Sequence, residues 1–147
     1  ETRDYSRAEL TGYLGKRGVS EEVAAEVLDR LESVGLVDDA RFAISWAQSR
    51  VRSRGLARTA IAAELRAKGV DRDLIDEALA SIGGDVELAA ARLVGRRRLN
   101  SVQGLSRDVA YRRLAGALAR KGYGPSIVAR VVRELLDEQG GIGSAGM

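Results

Sequence analysis

The sequence predicts an all-α chain, an elongated, curved solenoid of tandem three-helix repeats in which the first repeat lacks its leading helix. Three observations predict it. Apolar residues recur at helical spacing with no competing strand alternation, one pattern recurs three times along 147 residues, and every copy carries the same stop and start signals at the same place.

The recurrence is visible when the chain is laid over itself. An offset of 51 puts Leu10 on Ile61, Leu14 on Leu65, Gly18 on Gly69, Val23 on Leu74, Leu28 on Leu79 and Leu31 on Ile82. A further offset of 53 carries the same set to Leu114, Leu118, Gly122, Ile127, Val132 and Leu135. Each copy reads as two helices around a corner, because a cation and a glycine end the first helix: Arg17 and Gly18, Lys68 and Gly69, Lys121 and Gly122. Glycine there can enter the left-handed conformation that closes a helix, and the cation suits the negative end of the helix dipole. The next helix starts at once, with Ser20, Asp71 or Gly124 at the N-cap, Glu21 and Glu22 in one first turn and Pro125 at one first helical position.

A separate offset of 46 finds the third helix of the unit, placing Asp39 on Asp85, Ala43 on Ala89, Arg50 on Arg96 and Arg52 on Arg98. It begins at an aspartate and ends in arginines. Helices are therefore expected over residues 6–17, 21–34, 40–53, 57–68, 72–82, 85–99, 106–121 and 125–138. Grouped as repeats, residues 1–38 hold the last two helices of a first copy, 39–83 a second and 84–138 a third, followed by a glycine-rich tail, 139–147, expected to be disordered. The sequence is expected to start inside a repeat. A unit this small cannot bury its apolar stripe alone, so neighbours must stack.

With one Trp, one Phe and four Tyr, the core must come from Ala, Leu and Val. No apolar run approaches the roughly 18 residues of a membrane span, and no signal sequence opens the chain, so a soluble, cytoplasmic protein with no membrane partner is expected. Cys and His are both absent, which removes thiolate chemistry, the usual neutral-pH base and the commonest nitrogen metal ligand. Ser6, Ser20 and Ser101 have no histidine to activate them, and Gly83 and Gly84 follow no strand and read as a helix terminator. The expectation is no catalytic residue, no cofactor, no metal and no enzyme.

The net charge of +3 is unevenly placed. Residues 1–40 hold 5 basic and 10 acidic side chains, 41–72 hold 8 and 2, 73–91 hold 0 and 5, and 92–121 hold 9 and 1. Such bands predict charged surface stripes suited to polyanions or to complementary proteins. Of the 24 basic residues 21 are Arg, whose guanidinium fork pairs with carboxylates and phosphates. The contact candidates are Arg50, Arg52, Arg54 and Arg58, then Arg96, Arg97 and Arg98, then Arg112, Arg113, Arg120 and Lys121.

Two local features admit competing readings. The segment Val37, Asp38, Asp39, Ala40, Arg41, Phe42 reads as a partner contact or as a structural junction, and the second is preferred: Asp38 or Asp39 caps the next helix, while Phe42 and Trp46, four apart, share a face. Tyr123, beside a corner, reads as a base-stacking platform or as a packed side chain, the latter preferred. Helix-turn-helix readout at the Gly69 corner is disfavoured, since Asp71, Asp73, Asp76 and Glu77 would repel a major groove.

The strings Ser6 to Leu10, Leu14, Arg17, Gly18, Val27, Leu28, Leu31, Gly35, Val37 to Asp39 and Arg41 to Ala43 resemble the first part of the RecX family. Arg54, Gly55, Arg58, Glu64, Leu65, Lys68 and Gly69 continue the likeness, and Arg113, Leu114, Leu118, Lys121, Gly122, Tyr123 and Ile127 resemble its last repeat, so that residues 5–138 are covered. The resemblance implies a fold of three-helix repeats and a monomeric regulator that lodges on the RecA filament and inhibits its ATPase, strand exchange and extension. The basic bands add an expected contact with single-stranded DNA, with double-stranded DNA as a second candidate. The alternatives are a DNA-backbone binder that acts without RecA, and a helical scaffold with other partners.

Overall fold

A computed structural model describes the backbone of residues 4–145 and the side chains of residues 4–140. Eight α-helices run in order: α1 (Arg7–Lys16), α2 (Glu21–Ser33), α3 (Asp39–Arg54), α4 (Arg58–Ala67), α5 (Arg72–Ala80), α6 (Gly84–Arg98), α7 (Arg107–Arg120) and α8 (Pro125–Ala145), with a 3-10 turn at Leu99–Val102 between α6 and α7. No strand occurs among the described residues, and no helix there is long and apolar enough to cross a membrane. The fold class is all-α, as the periodicity requires. One boundary differs in kind: α8 continues to Ala145, so the disorder expected from Gln139 gives way to helix, while Gly146 and Met147 lie outside the described residues. Extending an established helix adds a hydrogen bond per residue, whereas each Gly costs only about 1 kcal/mol.

Three corners share one geometry. Gly18, Gly69 and Gly122 have φ of 85°, 76° and 98°, and the amide after each donates back to the carbonyl five residues earlier: Val19 to Leu14 (3.1 Å), Val70 to Leu65 (3.1 Å) and Tyr123 to Leu118 (3.3 Å). This is the Schellman closure, repeated. Helix starts are capped individually. Ser6 and Glu9 form a reciprocal capping box on α1, Ser20 Oγ accepts from Val23 N–H, Asp38 accepts from Arg41 N–H at 3.0 Å, and Ser106 Oγ accepts from Val109 N–H. Asp71 stands at the N-cap of α5 without a side-chain cap bond.

The chain divides into two compact units, residues 1–48 with 61–81, and residues 49–60 with 82–147. In the first, Leu28, Phe42, Ala43, Ala47, Ile61, Leu65, Ile75 and Ala78 are buried. Phe42 stacks on Trp46 with ring centroids 5.8 Å apart, Trp46 Nε1 donates to Glu64 at 3.0 Å, and Lys68 Nζ lies 4.3 Å from the Trp46 ring centroid while pairing with Glu9 at 3.1 Å. In the second, α6, α7 and α8 each pack against the other two. Leu114, Leu118, Val131, Val132 and Leu135 form its centre. The α6–α8 approach is close because Gly95 has no side chain: a Cβ there would sit 2.5 Å from Leu135 Cδ1.

One joint is built twice. In the first unit Ser6 Oγ donates to the carbonyl of Lys68 at 2.7 Å, and Arg7 N–H donates to Asp39 at 2.8 Å. In the second, Thr59 Oγ1 donates to the carbonyl of Gly122 at 2.6 Å, and Arg58 N–H donates to Glu87 at 2.8 Å. A helix start is thus held by a glycine corner on one side and by a carboxylate from an acidic helix start on the other. Both sets of partners satisfy backbone groups that helix ends leave free.

Candidate functional site

The second unit contains an open groove of about 650 Å³ built from three consecutive elements. The last turn of α6 supplies Arg98, whose carbonyl accepts the Ser101 hydroxyl at 2.6 Å, and the 3-10 turn places Ser101 and Val102 on the rim. Helix α7 supplies Val109, Arg112, Arg113, Gly116, Ala117 and Arg120. Their spacing of three, one, three, one and three residues lines one helical face. Leu114 and Ala117, both buried, join Val102 in an apolar floor. Gly116 gives room above it, since a Cβ at that position would lie 3.3 Å from Arg120 Nη1.

The four guanidinium groups here are exposed and, among the described residues, carry no ion pair, and no carboxylate lines the groove. Elsewhere in the same basic band Arg92 and Arg107 are neutralised, while Arg96 and Arg97 are exposed without an ion pair among the described residues. Arg92 grips Glu134 with two bonds, 2.9 and 3.1 Å, Arg130 joins it at 3.2 Å, and Arg107 pairs with Asp137 at 2.7 Å. The bond from Arg92, assisted by Arg130, holds the Glu134 carboxyl below the usual carboxylate range.

The remaining sequence candidates fall into different places. Arg58 is tied into the joint, its Nε 3.3 Å from Glu87, so its charge serves the fold. Lys121 is half-buried and its carbonyl accepts from Ala57 N–H at 2.9 Å. Arg52 and Arg54 are exposed at the end of α3, Arg96 and Arg97 at the end of α6, and Arg50 is half-buried; none of the five lines the groove. Nothing about charge singled out Gly116, although its place four residues from both Arg112 and Arg120 is a sequence signal for room on that face.

The junction residues behave as scaffold. Asp38 caps α3, Phe42 is buried against Trp46, and Asp39 receives the Arg7 amide while burial pushes its carboxyl above the ordinary value. Arg7 itself bridges Asp29 and Glu32 at 2.7 and 3.1 Å. Tyr123 is only 4 % exposed, with its hydroxyl donating to the Gly55 carbonyl at 2.7 Å, so it offers no face for a base. Burial, with Glu87 nearby, pushes the phenol up to about 12. Among the described residues no group of His, Cys, Asp or Glu is placed to hold a metal ion.

Three domain families match the chain in order: the RecX first three-helix domain over residues 1–31, the RecX second three-helix domain over 38–79 and the RecX third three-helix domain over 85–132. A Streptomyces coelicolor protein named regulatory protein RecX is 49% identical over 135 residues, covering 92% of this chain and 72% of its own length. A Thermobifida fusca protein of the same name is 47% identical, covering 92% and 73%. A crystal structure of RecX from Lactobacillus salivarius superposes with a TM-score of 0.82 over 90% of this chain and 86% of its own, and its 19% sequence identity makes that a likeness of fold. The ordered match of all three domains, together with near-half identity over most of the length, places this chain in the RecX family.

Proposed function

We infer that the chain is a non-enzymatic, cytoplasmic regulator that binds the RecA nucleoprotein filament and inhibits its ATPase, strand exchange and filament extension. The carrying observation is the match to all three RecX domains in order along the chain. The unneutralised arginines support the reading, since they suit both acidic protein surfaces and DNA backbone. Inhibition requires only differential affinity: a filament state that binds this protein better becomes the populated one. Such a protein acts in recombination, DNA repair and the SOS response, as a monomer, with single-stranded DNA beside RecA as its partner.

The test is RecA ATP hydrolysis on single-stranded DNA with increasing amounts of this protein. Turnover should fall with occupancy of the filament, and undiminished turnover at saturating binding would remove the proposal. One observation favours a second reading, a DNA-backbone binder that acts without RecA: the four groove arginines have no acid among them. Binding to preassembled RecA filaments, compared with free RecA and naked DNA, separates the two, because a pure backbone binder gains nothing from RecA.

A further inference from the structure

We propose that the groove bounded by Arg98, Arg112, Arg113 and Arg120 seats a single nucleic-acid strand, with phosphates on the guanidinium rim and a base or sugar face on the apolar floor. This deepens the DNA contact in the function proposed above and rests on it only for the biological setting.

The donor inventory decides between a nucleic-acid strand and an extended peptide. Arginine donates and never accepts, and the one side-chain acceptor in the lining is the Ser101 hydroxyl oxygen, whose proton goes to the Arg98 carbonyl. The rim is therefore rich in donors and poor in acceptors. An extended peptide brings one N–H per residue, each in need of an acceptor when buried. A phosphodiester chain brings acceptors alone, two charged oxygens per link, which match the guanidinium fork.

The floor decides between one strand and two. Half-buried Val109 and Gly116, backed by the buried Val102, Leu114 and Ala117, offer carbon surface at the bottom of a concavity of about 650 Å³, within the range that takes a small-molecule-sized group. Only an unpaired strand can turn a base or sugar face into such a recess, and flat guanidinium groups can stack on that base. With no amide or carboxylate side chain in the lining, the groove lacks the groups that read base edges, so binding is tolerant of sequence. Along α7, Arg112 and Arg120 lie eight residues apart, about 12 Å of helix rise, which gives the seat a length of more than one phosphate.

Two variants separate charge from shape. Arg112→Gln with Arg113→Gln removes two rim cations, and Gly116→Leu fills the recess without changing charge. Binding of a fluorescein-labelled thymidine 20-mer is followed by anisotropy across a salt series, with thermal unfolding confirming that each variant is folded. The parent should show a log–log salt slope near −2.8, from about four phosphate contacts on a single strand. The double variant should lose roughly tenfold or more in affinity and bring the slope near −1.4. Gly116→Leu should lose affinity while keeping charge, and Arg66→Gln with Arg72→Gln, an equal charge change outside the groove, should leave the 20-mer within about twofold.

Unchanged 20-mer binding in both groove variants would overturn the proposal. Equal competition by polyglutamate of matched charge would overturn it in favour of an acidic protein surface, and equal affinity for a 20-base-pair duplex would overturn the single-strand assignment. Inhibition of RecA ATPase is measured on the same proteins: a parent that binds the 20-mer but leaves RecA unaffected refutes the regulatory reading and leaves the groove standing.

Discussion

Helices α1 and α2 repeat the sequence pattern of α7 and α8, yet the two hairpins are buried very differently. Leu114 and Leu118 are 1% and 0% exposed, whereas the matching Leu10 and Leu14 are half-buried, and Val131 is fully buried where the matching Val27 is 41% exposed. Helix α1 buries no residue at all; α7 buries four. The difference follows from the neighbours. Helix α6 packs on both α7 and α8, whereas α1 packs chiefly on α2. An apolar stripe at helical spacing marks what can be buried, and the adjoining helix decides what is.

The comparison breaks first under truncation. Leu118→Ala should cost about 2–5 kcal/mol, and Leu14→Ala about 1 kcal/mol or less, because the removed carbons leave a cavity in one hairpin and meet water in the other. Urea unfolding of each variant reads this out, and equal costs would show that the two hairpins are packed alike. A smaller effect is expected at the corners. Gly18→Ala pays only the left-handed backbone, about 1 kcal/mol, because nothing lies within 4 Å of the added carbon. Gly122→Ala should lose roughly 2–3 kcal/mol, since its Cβ would also stand 2.9 Å from Ala60 Cβ and 3.2 Å from Ala60 N.

The third difference is one of pH. Val19 follows the first corner where Tyr123 follows the third. A phenol pushed up to about 12 stays neutral in the fold at a pH where the unfolded chain, near 10, ionises. Its stabilisation is complete below pH 10 and is lost as pH rises from 10 to 12. Tyr123→Phe should lower neutral-pH stability by about 1–2 kcal/mol by orphaning the Gly55 carbonyl, and should remove this part of the alkaline loss; an unchanged alkaline profile would place its cause elsewhere. The smallest effect belongs to the groove. Arg112→Gln with Arg113→Gln should shift stability by less than about 0.5 kcal/mol, since exposed side chains without ion pairs hold nothing together.

Much of this architecture was legible because it rests on local signals. The cation and glycine at each corner announced both the stop and the left-handed residue, the Asp38–Asp39 pair announced a cap that Asp38 supplies, and the spacing of Phe42 and Trp46 announced a shared face on which they stack. What the chain hid was longer in range. Arg58 and Glu87 lie 29 positions apart, and only the folded joint shows that this arginine belongs to the scaffold. Tyr123 reads as packed, but its hydroxyl's partner, the Gly55 carbonyl 68 positions earlier, shows only in the fold. The persistence of α8 past Leu136 depends on helix propagation, which outlasts glycines that elsewhere signal an end. In the candidate groove the arginines were visible as sequence clusters, but the meeting of Arg98 with Arg112, Arg113 and Arg120, without Arg96 and Arg97, required α6 and α7 to be set side by side.

The doubled joint carries a consequence for how such a chain can drift. In each copy one acceptor is a peptide carbonyl and one donor a main-chain amide, and the side-chain partners already occur in two versions, serine with aspartate and threonine with glutamate. A coupling with backbone at one end of every bond constrains shape while leaving some freedom in the letters at the other. Distant relatives can therefore keep one geometry through near-complete replacement of their residues, as the agreement with a crystal structure at 19% identity illustrates.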